Sequence, residues 1–171
     1  MERKIIMVTG GQRSGKSEFA EQLALDLSDA PVYVATARVY DSEMQVRVAK
    51  HQQRRAGKWL TIEEDLRLSS LDVSDRVVLV DCVTLWATNM FFECGDDADA
   101  ALSRLKEEFD AFTSQKSVFI FVTNEIGLGG TSENAMQRQF TDLQGAINRY
   151  IAAHAQEVYF VVSGIAMKIK G

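Results

Sequence analysis

Proline is almost missing: Pro31 is the only one in 171 residues, so no proline-rich linker divides the chain. Gly/Ser-rich linkers, internal repeats and low-complexity segments are missing too, and the chain reads as a single domain over 1–171. Cysteine is scarce. Cys82 and Cys94 have no metal-ligand spacing around them, and two thiols make no disulfide framework, which fits a reducing cytosol. Positive charge is not in excess: 19 Lys and Arg stand against 24 Asp and Glu, a formal net charge of −5, which argues against a general nucleic-acid surface but not against a local basic cluster. No apolar stretch approaches the roughly 20 residues of a membrane span. Met1-Glu2-Arg3-Lys4 leads straight into a strand-like run with no signal-peptide pattern. The expectation is a cytoplasmic protein without membrane insertion.

What is present begins at residue 10. Gly10-Gly11-Gln12-Arg13-Ser14-Gly15-Lys16-Ser17 is a full match to the phosphate-binding loop, preceded by the apolar run Ile5-Ile6-Met7-Val8. The residue types follow from the chemistry. Glycines let backbone N–H groups close around phosphates, Lys16 neutralises β/γ oxygens, and the Ser17 hydroxyl suits Mg²⁺. Phe19, Ala20, Leu23, Ala24 and Leu27 then recur at a helical period. A nucleoside triphosphate is the expected ligand.

Apolar runs at Ile5 to Thr9, Val32 to Thr36, Val77 to Cys82, Val118 to Thr123 and Val158 to Ser163 alternate with helical patterns at about 16–27, 41–55, 97–114 and 134–153. This predicts an α/β fold, a mostly parallel sheet flanked by helices, with strands buried on both faces. Leu102, Leu105, Phe109 and Phe112 form a stripe read as core packing. Trp59, Trp86 and Met90-Phe91-Phe92 read as core or subunit interface, with a bulky hydrophobic substrate surface as the other reading. In this fold class ligands bind at the carboxyl ends of strands. That edge carries the phosphate loop, Ala35-Thr36-Ala37-Arg38, Asp81 with Thr84, and Thr123-Asn124-Glu125. Asp81 is placed to act near Mg²⁺, and Glu125, followed by Gly127, Gly129 and Gly130, is a second candidate acid.

Residues 47–58 carry five Lys or Arg and one His with no acid, in an acidic chain. On a helix Arg47, His51 and Arg54 project from one side. Guanidinium neighbours disfavour the imidazolium, leaving His51 neutral and available as base or nucleophile toward phosphorus. A solvated basic face with an incidental histidine is the other reading of this segment. His154, near a helix end, reads as structural.

Together these segments resemble the bifunctional adenosylcobinamide kinase/adenosylcobinamide-phosphate guanylyltransferase family of cobalamin biosynthesis. The carriers, nearly end to end, are Val8-Thr9 with the phosphate loop, Tyr33-Val34-Ala35-Thr36, Glu43-Met44 with Arg47 and His51, Trp59, and Glu63. After them come Asp81-Cys82-Val83-Thr84 with Asn89, Val122-Thr123-Asn124-Glu125-Ile126-Gly127, and Val161-Val162-Ser163-Gly164-Ile165 with Lys168. The resemblance implies a P-loop NTPase (RecA-like) fold and two reactions on a corrinoid. ATP or GTP first phosphorylates adenosylcobinamide. GTP then guanylylates a histidine, matched by His51, and the corrinoid phosphate takes the GMP to give adenosylcobinamide-GDP.

The resemblance also assigns residues. Its guanylylated histidine is His51, which joins Lys16 as a catalytic candidate, while the motif chemistry above leaves Mg²⁺ to Ser17 and Asp81. Nucleotide contacts carry over to Gly10, Gly11, Gln12, Arg13, Ser14, Gly15, Lys16, Ser17, Glu18, Ala37, Arg38, Val39, Gln52, Gln53, Arg54, Arg55, Glu63 and Asp81. The implied partners are adenosylcobinamide and its phosphate, with no nucleic acid, and the implied assembly is a homo-oligomer, a trimer. Gly129-Gly130-Thr131-Ser132-Glu133 lacks the proline usual after that loop, and Thr141 stands where arginine is common. Alternatives are a P-loop kinase of another small alcohol and a nucleotide-dependent regulatory module.

Overall fold

A computed structural model describes residues 1–38 and 57–171; the expected helix at 41–55 lies outside the described residues. Seven strands, β1 (Lys4–Gly10), β2 (Val32–Ala35), β3 (Leu60–Glu63), β4 (Val77–Asp81), β5 (Val118–Asn124), β6 (Glu157–Val162) and β7 (Ile165–Lys170), form one sheet in the order β3-β2-β4-β5-β1-β6-β7. All pairings are parallel except the β6–β7 hairpin. The α-helices among the described residues are α1 (Lys16–Leu27), α2 (Val83–Glu93), α3 (Ala98–Thr113) and α4 (Ala135–His154). The expected α/β class holds, and each expected strand run is found to within one residue.

The central strands are apolar through most of their length because both of their faces are covered. Successive side chains alternate between faces. Ile5, Met7, Val78, Val80, Phe119 and Phe121 enter one core, and Ile6, Val8, Val77, Leu79, Ile120 and Val122 enter the other. The first core is closed by α2, α3 and α4, and it holds the largest side chains. Trp86, Phe91, Phe109 and Phe112 are fully buried there, with ring centroids of Phe109 and Phe121 5.2 Å apart and those of Phe112 and Phe119 5.0 Å apart. The second core meets α1 through Ala20 and Ala24, with Phe19 and Leu23 at its border.

The α3 stripe is core as expected, Leu102 packing at its margin. Trp86, Met90 and Phe91 are core, whereas Phe92 points outward, half exposed. His154 is structural: its Nδ1 lies 2.8 Å from the Tyr150 carbonyl in the last turn of α4. Three elements had no sequence expectation. β3 is a short exposed edge strand; α2 is so uniformly apolar that its period is hidden; β7 is an exposed edge hairpin strand.

Parallel register levels the carboxyl ends of the strands. Gly10 pairs with Asn124, Val122 with Asp81, Asp81 with Ala35, and Ala35 with Glu63. Every sequence-derived candidate among the described residues therefore lies on one edge of the sheet.

Candidate active site

The loop after β1 is shaped by close backbone approach. A Cβ on Gly10 would stand 2.5 Å from the Val161 carbonyl oxygen and 2.8 Å from Ser14 Oγ, so no side chain fits there. Gly15 has φ 90° and opens α1 without a side-chain cap. By contrast Asp97 accepts a hydrogen bond from the Ala100 amide at the start of α3, and Asn134 accepts one from the Gln137 amide at the start of α4. An uncapped helix start presents its N–H groups and the positive end of its dipole to an anion. Lys16 reaches back over the loop, its Nζ donating to the Gly11 carbonyl at 3.3 Å, while Ser17 and Glu18 follow in the first turn. Gln12 and Arg13 are exposed, and Ser14 is buried with its Oγ unpartnered among the described residues.

The C-terminal hairpin braces this loop. Ser163 and Gly164, at φ 51° and 80°, make its turn, and the Gly164 amide donates to the Ser14 carbonyl at 2.8 Å. Sequence reasoning missed that support. Ser-Gly between two strand-like runs is a hairpin signal that would have located the turn but not its partner.

Asp81 ends β4 half-buried, with Oδ2 accepting from the Tyr33 hydroxyl at 2.9 Å. Beside it Thr36 bridges two strand ends: its Oγ1 donates to the Cys82 carbonyl at 2.8 Å and accepts from the Cys82 amide at 2.9 Å. Asn89 of α2 donates to the carbonyls of Thr36 and Asp65 at 2.8 and 3.1 Å, fixing the segment that leads to Ala37 and Arg38. Arg38 Nε is paired with Asp65 Oδ2. Burial, reinforced by the Asp81 charge, pushes the Cys82 thiol up to about 12, which keeps it a packed, protonated group. Glu63 is exposed at the end of β3. The Glu125 amide donates to the Gly10 carbonyl at 3.0 Å, and the Asn124 amide to Thr84 Oγ1 at 3.0 Å.

The structure thus brings together Gly10 to Glu18, Ala37, Arg38, Glu63 and Asp81 on one edge. Val39, His51, Gln52, Gln53, Arg54 and Arg55 lie outside the described residues. No cluster of three or more His, Cys, Asp or Glu suited to a metal occurs among the described residues. The Ser17 hydroxyl and Asp81 carboxylate are hard oxygen donors, the kind Mg²⁺ takes when phosphates and water complete its shell.

A braced glycine loop opening an uncapped helix, with β5 inserted between its strand and the one ending in Asp81, defines a P-loop nucleotide-binding protein of RecA-like fold. The crystal structure of the flagellar accessory protein FlaH from Methanocaldococcus jannaschii shares that fold, with TM-score 0.50 and 15% identity, covering 99% of this chain and 79% of that one. Residues 6–169 match the family model described as cobinamide kinase / cobinamide phosphate guanyltransferase, and the chain belongs to that family of bifunctional transferases. It is 39% identical to the bifunctional adenosylcobalamin biosynthesis protein CobU of Escherichia coli K12 and 38% identical to CobU of Salmonella typhimurium LT2, over 97% of this chain and 99% of each relative. It is 37% identical to CobP, with the same descriptive name, of Pseudomonas aeruginosa PAO1 over 96% of both chains. Among the described residues no helix is long and apolar enough to cross a membrane.

Proposed function

We propose that this chain phosphorylates adenosylcobinamide with ATP or GTP and then passes GMP from GTP, through His51, to the resulting phosphate. The carrying observation is near-complete coverage of relatives named as bifunctional, joined to an intact, braced phosphate loop. In the first reaction the hydroxyl of the corrinoid's aminopropanol arm attacks the γ-phosphorus and the nucleoside diphosphate leaves. Glu125 and Asp81 are the candidate acceptors of its proton. Lys16 and the open N–H groups of α1 offset charge on the transferred phosphoryl group. Mg²⁺, held by Ser17 and Asp81 together with phosphate oxygens, supplies further charge neutralisation when bound.

In the second reaction an imidazole nitrogen of His51 attacks the α-phosphorus of GTP and pyrophosphate leaves. A corrinoid phosphate oxygen then attacks the same phosphorus, the P–N bond breaks, and adenosylcobinamide-GDP forms with His51 restored. Arg54 and Arg55 hold the triphosphate for in-line attack. Gln12, Arg13, Ala37, Arg38, Val39, Gln52, Gln53 and Glu63 complete the nucleotide contacts. A homotrimer in the cytoplasm is part of the same reading.

Incubation with Mg²⁺ and GTP labelled at the α-phosphorus, followed by denaturation, tests the covalent step. Label stable in alkali and lost in acid marks a phosphoramidate, and His51→Ala is expected to abolish it while nucleotide binding survives. Wild-type protein that binds GTP yet never acquires label would leave only the kinase half.

A further inference from the structure

One cavity among the described residues lies beside the phosphate loop rather than within it. It is an open groove of about 590 Å³ between the Gly127–Ser132 segment and the outer face of α4, where Arg138, Thr141, Gly145 and Arg149 follow one another at helical spacing. Its size falls within the range of small-molecule sites. The floor is made by Gly145 and Ala146, and a Cβ on Gly145 would meet nothing within 4 Å. Arg138 is pinned, one guanidinium nitrogen donating to the carbonyls of Ser132 and Glu133 at 3.0 and 2.8 Å. Arg149 makes no hydrogen bond or ion pair among the described residues. With Asp142 as the one carboxylate of the lining, the groove is net positive.

The groove wall is tied rigidly to the nucleotide loop. On the buried side of α4, Gln144 Nε2 donates to Thr123 Oγ1 and Asn148 Oδ1 at 3.0 and 2.8 Å, and Asn148 Nδ2 donates to the Asn124 carbonyl at 3.0 Å. The next amide, Glu125, is bonded to Gly10. The Glu125 carboxylate in turn lies 3.9 Å from where a Cβ on Gly127 would stand, at the groove's loop side.

We propose that this groove is the acceptor site, holding the phosphorylated corrinoid by its amide fringe and its phosphate while the reacting arm extends toward the phosphate loop. The inference rests on the two-step transferase reading above. A purine is the poorer fit, because no aromatic side chain lines the groove to stack on a base. Arginines and hydroxyls over a glycine floor match a phosphate and a rim of carboxamides.

Equilibrium dialysis of cobinamide phosphate, followed by its corrin absorbance, tests this with the full chain and two variants. Gly145→Leu fills the open floor without a backbone clash and replaces a helix-interior glycine with a better helix former, so the fold is retained; a thermal melt checks that. Arg149→Ala removes one cation. Each variant is expected to weaken corrinoid binding tenfold or more while GTP affinity stays within twofold, with Arg149→Ala weakening the phosphorylated corrinoid more than the unphosphorylated one. Wild-type binding matched within twofold by a folded Gly145→Leu overturns the groove assignment alone. A wild-type protein that binds no cobinamide phosphate overturns the transferase reading itself.

Discussion

The two faces of the sheet are built differently. Among the described residues, one is covered by three helices and filled with phenylalanine, tryptophan and methionine; the other meets α1 through two alanines. The heavily packed face carries much of the apolar burial, whereas the lighter face carries the helix whose start forms the phosphate loop. Small residues on α1 bring the helix close to the sheet, which holds the loop against Val161 and Gly164. Stability and nucleotide chemistry are therefore separable by substitution.

The strongest test of that separation is Phe109→Ala, a fully buried ring in the heavy face. It is expected to cost about 3–5 kcal/mol, a fall in Tm of roughly 10 °C, with GTP affinity unchanged when measured well below the transition. An equal loss of affinity would show that the faces are coupled. Lys16→Ala should do the opposite. Its one hydrogen bond among the described residues is the contact to Gly11, so Tm should move by no more than about 2 °C while phosphoryl transfer falls about 10²–10³-fold. Unimpaired turnover would remove Lys16 from the chemistry.

The smallest effect sharpens the comparison at the lighter face, where Glu157 joins Lys4 of β1 at 2.5 Å and Lys168 of β7 at 3.4 Å. Hydrogen bonds from Lys4 and then Tyr159 hold its carboxyl down to about 2. The folded group thus ionises more readily than the unfolded one. Its contribution is present above pH 4.5 and lost as pH falls toward 2. With solvent screening it is on the order of 1–2 kcal/mol. Denaturant titrations at neutral pH and at pH 3 should show Glu157→Gln losing less stability on acidification than wild type; identical losses would assign the acid sensitivity elsewhere.

Much of this was legible because parallel strands buried on both faces are plain apolar runs, and because the phosphate loop is a local motif. Asp81 and Glu125 could be placed from strand ends alone, since register levels those ends. What stayed hidden depends on contacts distant in sequence. Tyr33 on Asp81, Asn89 across Thr36 and Asp65, and Gly164 under Ser14 are pairings of residues 24 to 150 positions apart, and local pattern does not encode them. α2 escaped because a helix apolar on nearly every side has no period to read. The groove on α4 escaped because glycine, threonine and arginine at helical spacing look like an ordinary solvated face.

The amide of Gly164 under Ser14 has a consequence for synthesis. β1, made before the other strands of its sheet, is flanked in the finished sheet by β5 and β6, and its loop is braced by a hairpin whose turn is 150 residues later in the chain. A nascent chain holds the whole phosphate-loop sequence early, yet that loop gains its brace only after the hairpin has left the ribosome. Prematurely terminated products lacking residues 157–171 would carry the motif without its support and would compete poorly for cellular GTP.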